Sequence, residues 1–430
     1  MKTLKIHPLV KPIQGEVIMP GSKSFTNRAL VMAALAKGES ILVGASESDD
    51  SVAMIRALRQ LGVAVEEEKG NIKIQGNGGE FGAFDGTINV GDAGTTMRFL
   101  TSLCALVPGE IVLDGSERMR ERPIGELVGA LRALGADIIC FGREGFPPLK
   151  ILGRKMRGGH VALSGRISSQ YITSLLLVAP LLQDGLIIDI EDEQISPSYI
   201  DMTIDGLRDF GVEVKNEEYR RYSVAKGQNY RSCTYAVEGD ASGASYLWAI
   251  AAITGSTIRV KNINPGSSQG DIKFPDLLMR MGCEVVKNAS ERWIEVTGAR
   301  ALGGITQDMA SMPDTAQTLA VVASFARGAT TLTGLSTLQI KETKRLTALN
   351  RELEKMGISS EIGDDRITIE GGNPQGALIE TYGDHRMAMA FAVAGTRAQG
   401  VRIKEAQVVS KSFPEFWEIL NRLGVETKEV

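Results

Sequence analysis

In six places along the chain, apolar residues fall at helical spacing, stop at a glycine and resume as strand-like alternation. The segments are MIRALRQLGVAVE, LVGALRALGADI, TIDGLRDFGVEV, FPDLLMRMGCEV, LNRELEKMGISSEI and FWEILNRLGVET. The stopping glycines are Gly62, Gly135, Gly211, Gly282, Gly357 and Gly424, separated by 73, 76, 71, 75 and 67 residues. A glycine just past the last apolar turn is the left-handed residue that ends a helix. The near-constant spacing makes these copies of one unit rather than six unrelated helix ends. Each unit opens with strand alternation and carries a second helix, as at residues 27–37 and 95–107. The expectation is an α+β fold in which six units group as two domains of three. Two short segments, residues 20–24 and 238–242, read as the crossings. They assign residues 1–20 plus 239–430 to one domain and 21–238 to the other. An N-terminal strand over about residues 4–19 then belongs to the discontinuous domain.

Composition narrows the class. Hydrophobic residues make up 43% and charged residues 23% of the 430, an ordinary globular balance. Lys+Arg is 48 against 52 Asp+Glu, a net charge of -4, where a nucleic-acid binder carries a net basic domain. The longest apolar stretch, residues 171–182, contains Pro180 and is too short to span a bilayer. The N-terminal MKTLKIHPLVKP lacks the apolar core of a signal peptide. The expectation is a soluble, cytoplasmic protein. Four scattered cysteines and three histidines offer no zinc-ligand spacing, and no G-x-G-x-x-G follows a strand.

Candidate chemistry gathers at helix starts. PGSKSFTNR, residues 20–28, puts Lys23 and small residues where free N–H groups and the helix dipole attract an anion. GDAGTTMR, residues 91–98, repeats the arrangement with Gly94 and Arg98, and Asp92 reads as an N-cap. SERMRERPI offers the guanidinium of Arg122 to a phosphate or carboxylate. Ser168, Ser169 and Gln170 precede an apolar helix and suit a dianion as neutral donors. In the second half, SMPDTAQTLAVVA puts Asp314 at a helix start, where capping is its default role. KETKRL carries Lys341, Glu342 and Arg345, YGDHRMAMAFA carries Asp384, His385 and Arg386, and SKSFPEFW carries Lys411. Singly, each reads as a solvated helix end. Together they concentrate positive charge in an acidic chain, which focuses a field on an anion. Asp314 and Glu342, embedded among the cations, are the acid–base candidates.

These motifs resemble the 5-enolpyruvylshikimate-3-phosphate synthase family of enolpyruvyl transferases. PGSKS-x-x-NR, G-x-AGT-x-x-R, RPI, SSQY, GDAS, PDT, KET-x-RL and DHRMAMA occur in the family order over residues 20–411. The resemblance implies two domains of three βαβαββ units each, with the active site in the interdomain cleft. It implies transfer of the enolpyruvyl group of phosphoenolpyruvate to the 5-hydroxyl of shikimate 3-phosphate, without metal or organic cofactor, by a monomer whose partners are these small molecules. Carried over by motif, Lys23, Ser24, Arg28, Ser168, Ser169, Gln170, Ser196, Tyr199, Asp314, Thr337 and Lys341 bind shikimate 3-phosphate. Phosphoenolpyruvate meets Lys23, Gly94, Arg122, Gln170, Arg345, Arg386 and Lys411. Asp314 is the base for the hydroxyl, and Glu342 or Lys23 transfers the proton at the methylene carbon.

Four positions depart from the family pattern: Asp92 stands for the common Asn, Phe99 for Pro, Thr337 for Asn and Gly243 for Ser. Two other readings stand beside this one. A UDP-N-acetylglucosamine enolpyruvyl transferase shares fold and donor, but it typically has K-N-A-A-L-P where residues 23–28 read KSFTNR. A nucleic-acid end-processing protein of related repeats needs a basic, aromatic surface, against -4 and 5% aromatic residues here.

Overall fold

The six glycines have φ between +75° and +111°, and each closes a helix in the same way. In the first, Gly62 N–H bonds the carbonyl of Arg59 and Val63 N–H that of Leu58; the other five repeat both bonds. The residue after each glycine is buried: Val63, Ala136, Val212, Cys283, Ile358 and Val425. This is the double-bonded left-handed helix end with its apolar follow-on contact, built six times from one sequence pattern.

The computed structural model describes residues 2–68 and 70–430. It contains six four-stranded sheets. In each, a first strand runs parallel to a second, the second is antiparallel to the fourth, and the fourth to the third, as in Gly86–Asn89, Gly109–Asp114, Leu149–Gly153 and Asp137–Cys140. In the three sheets whose four strands follow one another along the chain, helices connect first to second and second to third strands, giving βαβαββ. The chain divides into two compact units, Gly21–Val237 and the residues up to Pro20 with Glu238–Val430. Glu238 is tied to the latter through Asn264, whose Nδ2 donates to its Oε1 at 3.1 Å.

The single strand expected over residues 4–19 is instead two strands, Leu4–Ile6 and Gln14–Ile18, in different sheets. Pro8 and Pro12 lie between them and interrupt any ladder. Leu4–Ile6 pairs with Thr427–Glu429 and closes one sheet, while Gln14–Ile18 opens another beside Thr257–Lys261. In the inserted unit, Thr234–Ala236 returns beside Lys37–Val43.

Each unit has its own core around three helices buried on every side. They are Lys23–Leu35, Gly94–Cys104 and Ser169–Val178 in one unit. In the other they are Ala241–Thr254, Ala316–Ala323 and His385–Gly395. The first two helices end short of the expected residues 37 and 107, since Lys37 and Gly38 already belong to a strand and Cys104 passes into a turn. Hydroxyls satisfy one another between the helices, as in Ser102–Ser174 at 2.6 Å and Thr173–Thr203 at 2.9 Å. Among the described residues no helix is long and apolar enough to cross a membrane.

Candidate active site

The discontinuous unit gathers four cations and three carboxylates around the starts of the helices Ala316–Ala323, Arg345–Lys355 and His385–Gly395. Asp314 lies in the short turn Pro313–Thr315 that leads into Ala316–Ala323. It does not cap that helix, as its position in the sequence led us to expect. Arg386 Nη2 donates to its Oδ2 at 2.7 Å and Arg345 Nη1 to its Oδ1 at 3.2 Å. Lys341 Nζ stands 3.9 Å from the same Oδ1. Arg345 is 1% exposed and also binds Glu342 Oε2 at 2.7 Å and Asp384 Oδ2 at 2.7 Å. Asp384 caps the helix His385–Gly395 by accepting from Arg386 N–H, so one carboxylate fixes both arginines. Lys411 Nζ lies 3.9 Å from Glu342 Oε1.

The charges set one another. Burial opposes the negative charge of Asp314, but Arg386, Lys341 and Arg345 outweigh it and hold the carboxyl well below the usual range. Burial likewise opposes the charge of Arg345, and Asp384, Glu342 and Asp314 reverse that and raise it. Burial pushes the Tyr246 hydroxyl, 3.5 Å from Arg386 Nη1, up to about 12. A buried network with more cations than carboxylates, whose central Asp314 keeps 17% of its side chain exposed, is arranged to receive an anion.

The inserted unit carries a second set. Lys23, first residue of its helix, pairs with Asp50 at 3.0 Å. Arg28 is 2% exposed and donates to Thr203 Oγ1 and to the carbonyls of Ser24 and Tyr199 at 2.8–2.9 Å. Burial lowers its pKa to about 10. Ser168 caps the helix Ser169–Val178, and Gln170 Nε2 reaches Thr95 Oγ1 at 3.3 Å, joining that helix start to Gly94. Gly94 lies against Arg122: a Cβ there would sit 2.6 Å from its Nη1. The carbonyl of Pro123 accepts from Tyr171 at 2.6 Å and Arg98 at 3.2 Å, which anchors the loop that presents Arg122. Ser196 holds a positive φ of 48°, a backbone strain found at ligand-binding positions.

One expectation changes, and two of the positions that depart from the family pattern show their surroundings. Asp92 is not the N-cap of Gly94–Cys104; Ala93 is, and Asp92 accepts a hydrogen bond from Ser116 Oγ instead. Phe99 places its ring under the Arg28 guanidinium at 5.6 Å. Thr337 is buried, and no hydrogen bond among the described residues links it to the cluster. Asp50 escaped the sequence reading because an aspartate pair in a first helical turn is ordinary helix chemistry. Among the described residues no group of three or more His, Cys, Asp or Glu is placed to hold a metal.

Comparison with known proteins bears on what this charge cluster serves. The profile of the family described as EPSP synthase (3-phosphoshikimate 1-carboxyvinyltransferase) matches residues 9–420. The chain belongs to the EPSP synthase family. A 3-phosphoshikimate 1-carboxyvinyltransferase of Sulfurovum sp. (strain NBC37-1) is 42% identical over 429 residues, 99% of this chain and 100% of the relative. One of Methanoculleus marisnigri is 42% identical over 415 residues, 96% and 98% of the two chains. The solved EPSP synthase of Acinetobacter baumannii superposes with a TM-score of 0.85 at 29% identity, covering 100% of both chains. The family activity is therefore that of this chain: a transferase of the shikimate pathway, with shikimate 3-phosphate and phosphoenolpyruvate as its substrates. This decides between the acceptors left open by the sequence.

Proposed function

We propose that the two sets of groups serve one addition–elimination. Arg345 and Arg386 take the carboxylate of phosphoenolpyruvate in the forked geometry of a guanidinium, and Lys23, Arg122 and Lys411, with Gly94 and Gln170, take its phosphate. Ser168, Ser169 and Ser196 hold the phosphate of shikimate 3-phosphate. Lys23, Ser24, Arg28, Gln170, Tyr199, Thr337 and Lys341 line its ring.

Asp314 accepts the 5-hydroxyl proton as the oxygen bonds to C2 of phosphoenolpyruvate. Glu342, with Lys23 as the alternative donor, delivers a proton to C3, so the methylene becomes a methyl. In the second half, C3 gives back one proton, the double bond re-forms, and the C2–oxygen bond to phosphate breaks. The cations around the phosphate stabilise the charge that builds there.

One observation carries this reading: both arginines donate to Asp314, and Lys341 Nζ stands 3.9 Å from the same carboxylate. So held, it is a poor base. A substrate carboxylate that competes for Arg345 and Arg386 loosens those bonds and raises its basicity where the hydroxyl proton is to be taken. The proposal extends to a cytoplasmic monomer acting on small molecules without nucleic acid, membrane, metal or organic cofactor, in keeping with the net charge of -4 and the cysteine and histidine spacing.

The test is phosphate release from phosphoenolpyruvate with and without shikimate 3-phosphate, in the native protein and in Asp314→Asn. Turnover should need both substrates and fall about 10²- to 10⁴-fold in the variant, with shikimate 3-phosphate still bound. Retained turnover in Asp314→Asn would remove Asp314 from the base role.

A further inference from the structure

One buried carboxyl beside the cluster has no part in that chemistry. Asp271 lies in the short turn Gly270–Lys273 and is 4% exposed. Its Oδ2 accepts a hydrogen bond from the hydroxyl of Ser242, in the first turn of Ala241–Thr254. Its Oδ1 has no hydrogen-bond partner among the described residues. Three charged groups act on it: Asp314 and Asp240 oppose a further negative charge, and Arg386 favours one. Lys273 of the same turn is exposed, and Tyr246 on the neighbouring helix faces Arg386. A carboxylate this buried, with one oxygen unmatched and a second carboxylate nearby, is unfavourable to ionise. Ser242 and Tyr246 stand about one turn apart on Ala241–Thr254, so that helix meets this carboxyl through one side chain and the arginine assigned to the substrate carboxylate through the other.

We propose that Asp271 is a positioning residue for the transfer reaction: neutral, it leaves Arg386 to Asp314 and the substrate; ionised, it competes for Arg386 and repels the incoming anion. Burial, and after it the charge of Asp314, pushes the carboxyl up to about 7, so both forms are populated near neutrality. The affinity for phosphoenolpyruvate then weakens as pH rises through that value, and binding of the anion draws a proton onto Asp271. The inference rests on the assignment of Arg386 to phosphoenolpyruvate.

The test compares KM for phosphoenolpyruvate in the native enzyme and Asp271→Asn from about pH 5.5 to 9. Asparagine has the shape of the neutral acid and never ionises. Both enzymes meet the same substrate ionisation, so the native-to-variant ratio of KM isolates the carboxyl. That ratio should rise about fivefold with a midpoint near neutrality, as expected for one like charge close to an anion, while the kcat ratio stays level. A flat KM ratio, or one that moves equally in kcat, overturns the proposal. Ser242→Ala keeps the question open if the asparagine variant fails to fold. Without its hydroxyl the ionised form loses its one bond, so the KM rise should move to higher pH, and an unmoved midpoint also overturns the proposal. Arg386→Lys, assayed in parallel, separates the two layers. A raised KM there with a flat Asp271→Asn ratio defeats Asp271 alone; an unchanged KM there defeats the Arg386 assignment and this inference with it.

Discussion

Replacing Gly94 by alanine tests how the inserted unit aims Arg122. The added Cβ would lie 2.6 Å from Arg122 Nη1 and 2.9 Å from both Cζ and Nη2. Ordinary contact is about 3.5 Å, so the guanidinium must retreat by roughly 1 Å. It has little freedom to turn in place, being 7% exposed on a loop pinned through Pro123. A guanidinium–phosphate bond of about 2.8 Å does not survive that stretch. The loss of one charge-assisted bond, about 1.5–3 kcal/mol, corresponds to a rise in KM for phosphoenolpyruvate of about ten- to a hundredfold. KM for shikimate 3-phosphate should change far less. Moving a buried guanidinium costs about 1–3 kcal/mol, more than alanine gains at the first position of a helix, so the melting temperature should fall by a few degrees while the protein stays folded. Steady-state phosphate release with each substrate varied, alongside a thermal melt, reads all three quantities. A folded Gly94→Ala enzyme whose KM for phosphoenolpyruvate stays within about twofold of native would refute the argument from steric contact.

Arg386→Lys keeps the charge but gives up the fork, so it should weaken phosphoenolpyruvate far more than shikimate 3-phosphate; equal losses in isothermal titration would contradict the assignment. Turnover should persist in excess chelator, and activity that disappears and returns only with one particular metal ion would show that the acid–base groups do not act alone. The pH and variant series at Asp271, and the loss expected for Asp314→Asn, complete the set.

The repeat was legible because its signal is covalent and local. A glycine that must adopt positive φ leaves the same mark at Gly62 and Gly424, whatever surrounds it. The motif residues of the charge cluster were legible as types, but not as a network. Nothing in PDT, KET or DHR says that Asp314 forgoes capping to bind two arginines, since that depends on three helix starts meeting in space. Asp50 and Asp271 were invisible for a related reason. Each looks like an ordinary polar residue of a first turn, and only burial, beside Lys23 for one and under the Ser242 hydroxyl for the other, gives it meaning. The N-terminal stretch was misread because alternation alone does not say where a strand changes sheets; Pro8 and Pro12 carried that information.

Those two short strands have a consequence for the order in which the chain is made. The inserted unit has all its strands once Ala236 can pair with Val43. The other unit cannot complete its last sheet until Glu429 reaches Leu4, so a strand made long before its partner is among the last to be seated. On the ribosome it waits with its ladder groups unmatched while the residues up to its partners are made, the condition in which strands pair with the wrong chain. A three-residue strand and a five-residue strand with two prolines between them are poor templates for such pairing. Lengthening Leu4–Ile6 or replacing Pro8 would leave the native sheet with its partners and lower the yield of newly made protein.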